Sequence, residues 1–385
     1  MTRLLSLSAL LLAGCATAPV EDGRSLHERI LTLDTHVDIP LDYMAAVDPG
    51  GVTEAQVDLP KMASGGLDSA FFIVYTPQTA VSPEGIAEAR DIAETRYRAI
   101  ERLVRTYPDR VALARTADEV ESIVAGGRVA ALIGMENAYP LGMSVADVPM
   151  WAERGVRYVG LTHFGANQFG DSSGTKDYET EAALSTHGGL SPLGRELVRA
   201  LNDNGVLVDI SHAGDATAMQ AMELSRVPVI ASHSGVDGVL DHHRNLSDAL
   251  LDKLAETGGV VQLVALGAYV KAWTPEQQAR LDALPDGMDE GARDAAVAAI
   301  RALSPVTVAD YVDHIDYAVE RTGVEHVGIA SDFDGGGGIA GWEDASETEA
   351  VTEELLRRGY SERDIEAIWS GNVLRLLRRA EGAAR

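Results

Sequence analysis

Eight short apolar runs, alternating with stretches of helical spacing, constrain this chain more than any other feature of it. The runs lie within 30–40 (ILTLDTHVDIP) and at 67–75, 129–135, 157–161, 206–210, 227–231, 259–266 and 327–330. Helical spacing fills 25–28, 83–107, 116–124, 145–154, 191–204, 216–225 and 247–256, a long excursion over 274–321, then 346–357 and 362–379. Runs that are apolar throughout, rather than at every second residue, belong to a parallel sheet whose outer face is also covered. Eight such strands close a (β/α)8, or TIM, barrel of the α/β class. An open doubly wound sheet is the alternative, but its first turn should carry a glycine fingerprint, and here that turn reads DTHVDIP. No internal repeat and no sizeable second domain are visible.

The strands end alike. The first runs into His36 and Asp38, the third into Glu136, the fourth into His163, the fifth into His212, the sixth into His233 and the eighth into Asp332. Singly, each has a plain explanation as a turn former or a satisfied core histidine. A barrel, however, gathers all strand C-termini at one mouth. His36 and Asp38 lie two apart, and an extended backbone puts both on one face. The chain has a single cysteine, Cys15, so a metal must be held by imidazole and carboxylate, a donor set that suits zinc or another divalent ion. The arrangement fits two ions better than one: His36 and Asp38 for the first, His212 and His233 for the second, Glu136 between them. Two ions about 3.5 to 4 Å apart share a hydroxide that attacks a carbonyl at neutral pH.

With 32 Lys+Arg against 59 Asp+Glu, the formal charge of −27 argues against nucleic-acid partners. The first 15 residues pair one positive charge with a short apolar core, a secretory leader too short to span a bilayer. Leu12-Ala13-Gly14-Cys15 resembles the lipobox of bacterial lipoproteins, with Cys15 lipidated. The expected organisation is therefore a leader over 1–15, a tether over 16–25 and one catalytic domain over 26–385. Export and anchoring by lipid alone follow, and Ala16 rather than aspartate after Cys15 points to the periplasmic face of the outer membrane.

DTHVDIP, DLPKMASGG, GMEN, RYVGLTH, GGLSPLGRELVRALNDNGVLVDISH, ASHSG, HHRN, GIASDFDG and GNVLRLL run in order from residue 34 to 377. Together they resemble the membrane (renal) dipeptidase family of zinc metallopeptidases, within the amidohydrolase-like barrels. The resemblance implies a dipeptidase acting through a metal-bridging hydroxide on two Zn2+ held by His36, Asp38, Glu136, His212 and His233. It further implies that His163 hydrogen-bonds the tetrahedral intermediate, that Arg244 grips the substrate's terminal carboxylate and that Asp332 carries a proton near the substrate amine. Dipeptides with a D-residue on the C-terminal side are included, and homodimerisation is left open. Asn137 stands where many members have glycine, and the disulfides and glycolipid anchor of animal members have no counterpart. The alternatives are hydrolysis of another small amide, β-lactam or ester, or a non-catalytic lipid-anchored binding protein, against which the complete ligand set argues.

Overall fold

The computed structural model describes residues 23–174, 186–285 and 287–385. All eight anticipated strands are present: β1 Leu33–Val37, β2 Ser69–Tyr75, β3 Val129–Glu136, β4 Val156–Gly160, β5 Leu207–Asp209, β6 Ile230–Val236, β7 Val260–Val264 and β8 Val327–Ala330. They pair in chain order, every pair parallel. β8 returns to β1 just beyond the strand ends. Val37 bridges to Phe333, the Asp38 N–H donates to Phe333 O at 2.9 Å and the Asp332 N–H to His36 O at 3.1 Å. The sheet is a (β/α)8 barrel with its helices outside.

Strand residues divide between two apolar clusters. In β2, Ala70, Phe72 and Val74 pack with the surrounding helices, whereas Phe71 and Ile73 join Leu33, Leu132 and Ile230 in the interior. Burial on both faces is why these runs are continuously apolar; each such side chain contributes about 1.5–3 kcal/mol. Leu374, Leu377 and Ala380 of the helix Asn372–Glu381 join the interior cluster beside Leu33 and Val260, closing the end where the strands begin. Helices enter through side-chain caps: Ser82, Thr116, Ser191, Thr307 and Ser361 each accept from the N–H three residues on.

Some elements differ from expectation. β6 was expected over 227–231 with His233 beyond it, but it runs through His233 to Val236. Short strands Val111–Leu113 and Asn245–Leu246 flank the barrel, and a helix Leu59–Gly65 precedes β2. The excursion over 274–321 is three helices, Pro275–Asp282, Glu290–Arg301 and Val308–Thr322, because Pro285, Gly287 and Pro305 interrupt it. Among the described residues no helix is long and apolar enough to cross a membrane. The leader, Cys15 and residues 16–22 lie outside the described residues.

Candidate metal centre

Local backbone distortions at the strand ends aim the polar side chains. The β1–β2 register shifts between Asp34 and Val37, and the β6–β7 register between Ala231 and Ser234. His36 and His233 sit in these two irregular stretches, and a bulge turns side chains off the regular pleat. Asn137, His212 and Asp332, just after β3, β5 and β8, have φ of 73°, 66° and 59°. Left-handed backbone costs a non-glycine residue on the order of 1–2 kcal/mol. Asparagine is among those that tolerate it, which explains how Asn137 replaces glycine. Its amide donates to Thr76 O and Gln78 Oε1 and accepts from the Tyr139 N–H, so the turn is held.

The carboxylate of Glu136 stands at the centre. Its Oε1 lies 3.0 Å from His212 Nε2, 3.3 Å from His233 Nε2 and 3.7 Å from His163 Nε2, and its Oε2 lies 3.6 Å from His36 Nε2. His36 Nε2 is also 3.7 Å from Asp38 Oδ2 and 3.9 Å from Asp332 Oδ1. Three sets of donor atoms are close enough to share an ion: His36 with Glu136 and His233, Glu136 with His163 and His212, and His36 with Asp38 and Asp332. His163 thus stands within reach of the candidate metal donors.

Hydrogen bonding behind the rings decides which imidazole nitrogens face the centre bare. With the Tyr158 hydroxyl donating to Thr35 O at 3.0 Å, the same oxygen accepts from His36 Nδ1–H, which turns Nε2 toward the centre. Ser232 likewise donates to Asp209 Oδ2 at 2.7 Å and accepts from His233 Nδ1–H, baring His233 Nε2. The His36 Nε2 is buried without a hydrogen-bond partner although three carboxylates surround it. Separations of 3.6–3.9 Å exceed an N–H···O bond. They approach the roughly 3.4 Å between ligands set about 2.1 Å from a tetrahedral ion. The donor set therefore fits a divalent cation, with Tyr158, Ser232 and Asp209 orienting the rings from behind.

The charges agree with this. Burial opposes charge on His36, yet Glu136 and Asp38 outweigh it and hold its pKa well above the usual value, so they draw to Nε2 the positive charge that a cation would otherwise supply. Burial holds His212 and His233 well below theirs, and pushes Asp332 well above the ordinary carboxylate range. Against its own burial, Glu136 is held well below that range by His163 and His36. The carboxylates call for positive charge, while His212 and His233 keep neutral, ligand-ready rings.

A cavity of about 310 Å³ opens over the centre, lined by Asp38, Glu136, His163, His212, His233 and Asp332. Arg244 is on its wall, donating to His233 O at 3.2 Å, with its guanidinium 5.3 Å from the centre of the Tyr269 ring. His36 lies behind the wall, fully buried. Tyr75, Arg96, Phe164 and Tyr269 also line the cavity and are not evident in the sequence. Gly335, in the four-glycine run, owes its lack of a side chain to this site, since a Cβ there would stand 2.2 Å from Asp38 Oδ2 and 2.5 Å from Asp332 Oδ1.

The family model for membrane dipeptidase, peptidase family M19, matches residues 20–385. The chain belongs to the membrane dipeptidase family. It is 31% identical over 363 residues to dipeptidase verJ of Clonostachys rogersoniana, covering 90% of this chain and 83% of that protein. The crystal structure of the probable dipeptidase PvdM from Pseudomonas aeruginosa superposes with a TM-score of 0.85 at 35% identity, over 94% of this chain and 98% of that one. A metallo peptidase from Rhodobacter sphaeroides, liganded with a phosphinate mimic of the dipeptide L-Ala-D-Ala, shares the fold at 23% identity and a TM-score of 0.75, over 91% and 99% of the two chains. As a family member the chain is a metallo-dipeptidase, and its His and Glu clusters are able to bind metal.

Proposed function

We propose that this membrane dipeptidase relative hydrolyses the peptide bond of free dipeptides with two zinc ions, one on His36 and Asp38, the other on His212 and His233, with Glu136 between them. The observation that carries this reading is the division of Glu136, whose Oε2 faces His36 while its Oε1 faces His212 and His233. Bound divalent ions supply Lewis acidity and a lowered water pKa. The chain does the rest. Arg244 pairs with the C-terminal carboxylate by its planar fork, whose Nε is buried with no partner of its own. His163, 12% exposed at the cavity wall, donates to the oxygen that gains charge when the carbonyl is attacked. Asp332 accepts a proton during attack and delivers it to the leaving amine. Dipeptides with a C-terminal D-residue are included in the reading, as are export and lipid anchoring through Cys15 ahead of one domain over 26–385.

The test is metal analysis of purified protein beside turnover of L-Ala-L-Ala, L-Ala-D-Ala and their N-acetyl and C-amide analogues. Two equivalents of zinc and cleavage that fails on C-amidation are expected. Protein with no stoichiometric metal that leaves every dipeptide intact would refute the reading, and equal rates on the C-amides would favour a general amidohydrolase.

A further inference from the structure

Arg96 lies on the helix Pro83–Thr106, which follows β2, and reaches back over the strand's last residue. Its guanidinium carbon stands 5.1 Å from the centre of the Tyr75 ring, and only 11% of the side chain is exposed. It lines the same cavity as Glu136 and Arg244. Nη1 is 3.9 Å from Asp38 Oδ1, beyond hydrogen-bond distance, and Nε is buried with no partner. A stacked, desolvated guanidinium with unspent donors is costly unless something in the cavity accepts from it.

Topology fixes where that something would be. In a closed barrel of eight strands paired in order, β2 and β6 are four positions apart and so face each other across the mouth. Tyr75 ends β2, and Arg244 follows β6, donating to His233 O. The cavity thus carries a guanidinium on each of two opposite walls, with Glu136 between them. A dipeptide backbone has one carboxylate, which Arg244 takes in the reading above, on which this inference rests. Its other charged group is an ammonium, which Arg96 repels. With the scissile carbonyl at the centre and the C-terminal residue toward Arg244, the side chain of the amino-terminal residue extends toward the β2 wall.

We propose that Arg96 is a specificity-determining residue that pairs with a carboxylate on the side chain of the substrate's amino-terminal residue, so that acidic first residues are preferred. Asp334, the remaining acid of the cavity wall, does not compete for the fork, because its oxygens accept the Gln56 and Val57 N–H groups. A charge-assisted fork pairing is roughly twice as strong as a neutral one, and Lys keeps the charge without the fork.

The experiment compares kcat/KM of Glu-Ala with that of its neutral isostere Gln-Ala, in the wild type and in Arg96→Met and Arg96→Lys, all zinc-loaded and assayed for metal content. The wild type should prefer Glu-Ala by about tenfold or more, chiefly through KM, the margin that one charge-assisted pairing provides. Arg96→Met should bring the ratio to near one, and Arg96→Lys should keep part of it. A wild-type ratio near one, or a preference that survives Arg96→Met, overturns the inference while leaving the dipeptidase reading intact. Equal losses on both dipeptides accompanied by loss of metal would show that Arg96 merely holds Asp38, and overturns it as well. Failure to cleave either dipeptide or L-Ala-L-Ala would overturn the dipeptidase reading and this inference with it.

Discussion

A single hydroxyl proton on Tyr158 decides how His36 presents itself. Tyr158→Phe removes the acceptor of His36 Nδ1–H while keeping the ring in place, so the imidazole loses its fixed tautomer. Zinc affinity measured by competition with a chelating dye is expected to fall about 10- to 100-fold. Unchanged affinity would mean that packing alone orients the ring. Glu136→Gln is more severe, because one amide cannot offer two anionic oxygens to two groups of imidazoles. It should lower metal content and reduce kcat/KM by about 100-fold or more, judged against the loss typical of a partner one shell further out. The glutamate and the histidines were legible in the sequence because a charged or titratable residue capping an apolar run is conspicuous. Tyr158 and Arg96 were not. A tyrosine inside a strand is ordinary core, and Arg96 is one of five arginines on its helix, with Arg90, Arg98, Arg102 and Arg105. Only the fold shows that one of them turns inward.

At the level of elements, β3 and β4 cooperate through an absent side chain. A Cβ on Gly134 would stand 2.3 Å from the ring of Tyr158, so glycine in β3 is what admits the tyrosine of β4 that in turn orients His36 on β1. Gly134→Ala is therefore expected to cost about 1–3 kcal/mol by overpacking. It should also lower zinc affinity although residue 134 touches no candidate ligand. Denaturant unfolding together with the dye competition checks both, and a stability loss with unaltered zinc binding would break this three-strand chain of cause. Strand order was readable because parallel strands buried on both faces announce themselves as apolar runs. The helix Leu59–Gly65 was not, although Asp58 caps it, Pro60 opens it and Gly66 ends it at φ 66°. In seven residues only Leu59, Met62 and Gly65 are buried, too few for a helical period to show. The bulges at His36 and His233 left no mark in the sequence, since they depend on how neighbouring strands pair.

For the whole molecule, the barrel buries a cluster of carboxylates and imidazoles at its mouth, and a ligand bound only by the folded chain should stabilise it. At a hundredfold excess of zinc over its dissociation constant the gain is about 2.7 kcal/mol, so removing metal with a chelator should lower Tm by on the order of 5 °C. Restoring zinc should recover it, and a Tm indifferent to chelator would contradict the donor-set argument. A second whole-molecule effect lies away from the mouth. His314, on the helix Val308–Thr322, accepts the Val236 N–H at Nδ1 and donates from Nε2 to Val270 O, a pair of bonds that only the neutral ring can make. Burial accordingly lowers its pKa from the ordinary 6.5. The folded state then binds fewer protons than the unfolded one below that value. Stability is full above pH 6.5 and declines as pH falls toward the lowered pKa, with a slope of up to about 1.4 kcal/mol per pH unit from this one group. His314→Asn keeps an acceptor for Val236 but cannot take up the proton. Whatever it does to stability at neutral pH, its denaturant midpoints should fall less steeply than those of the wild type between about pH 6.5 and 5. Parallel profiles would show that His314 takes up a proton in the folded barrel as readily as in the unfolded chain.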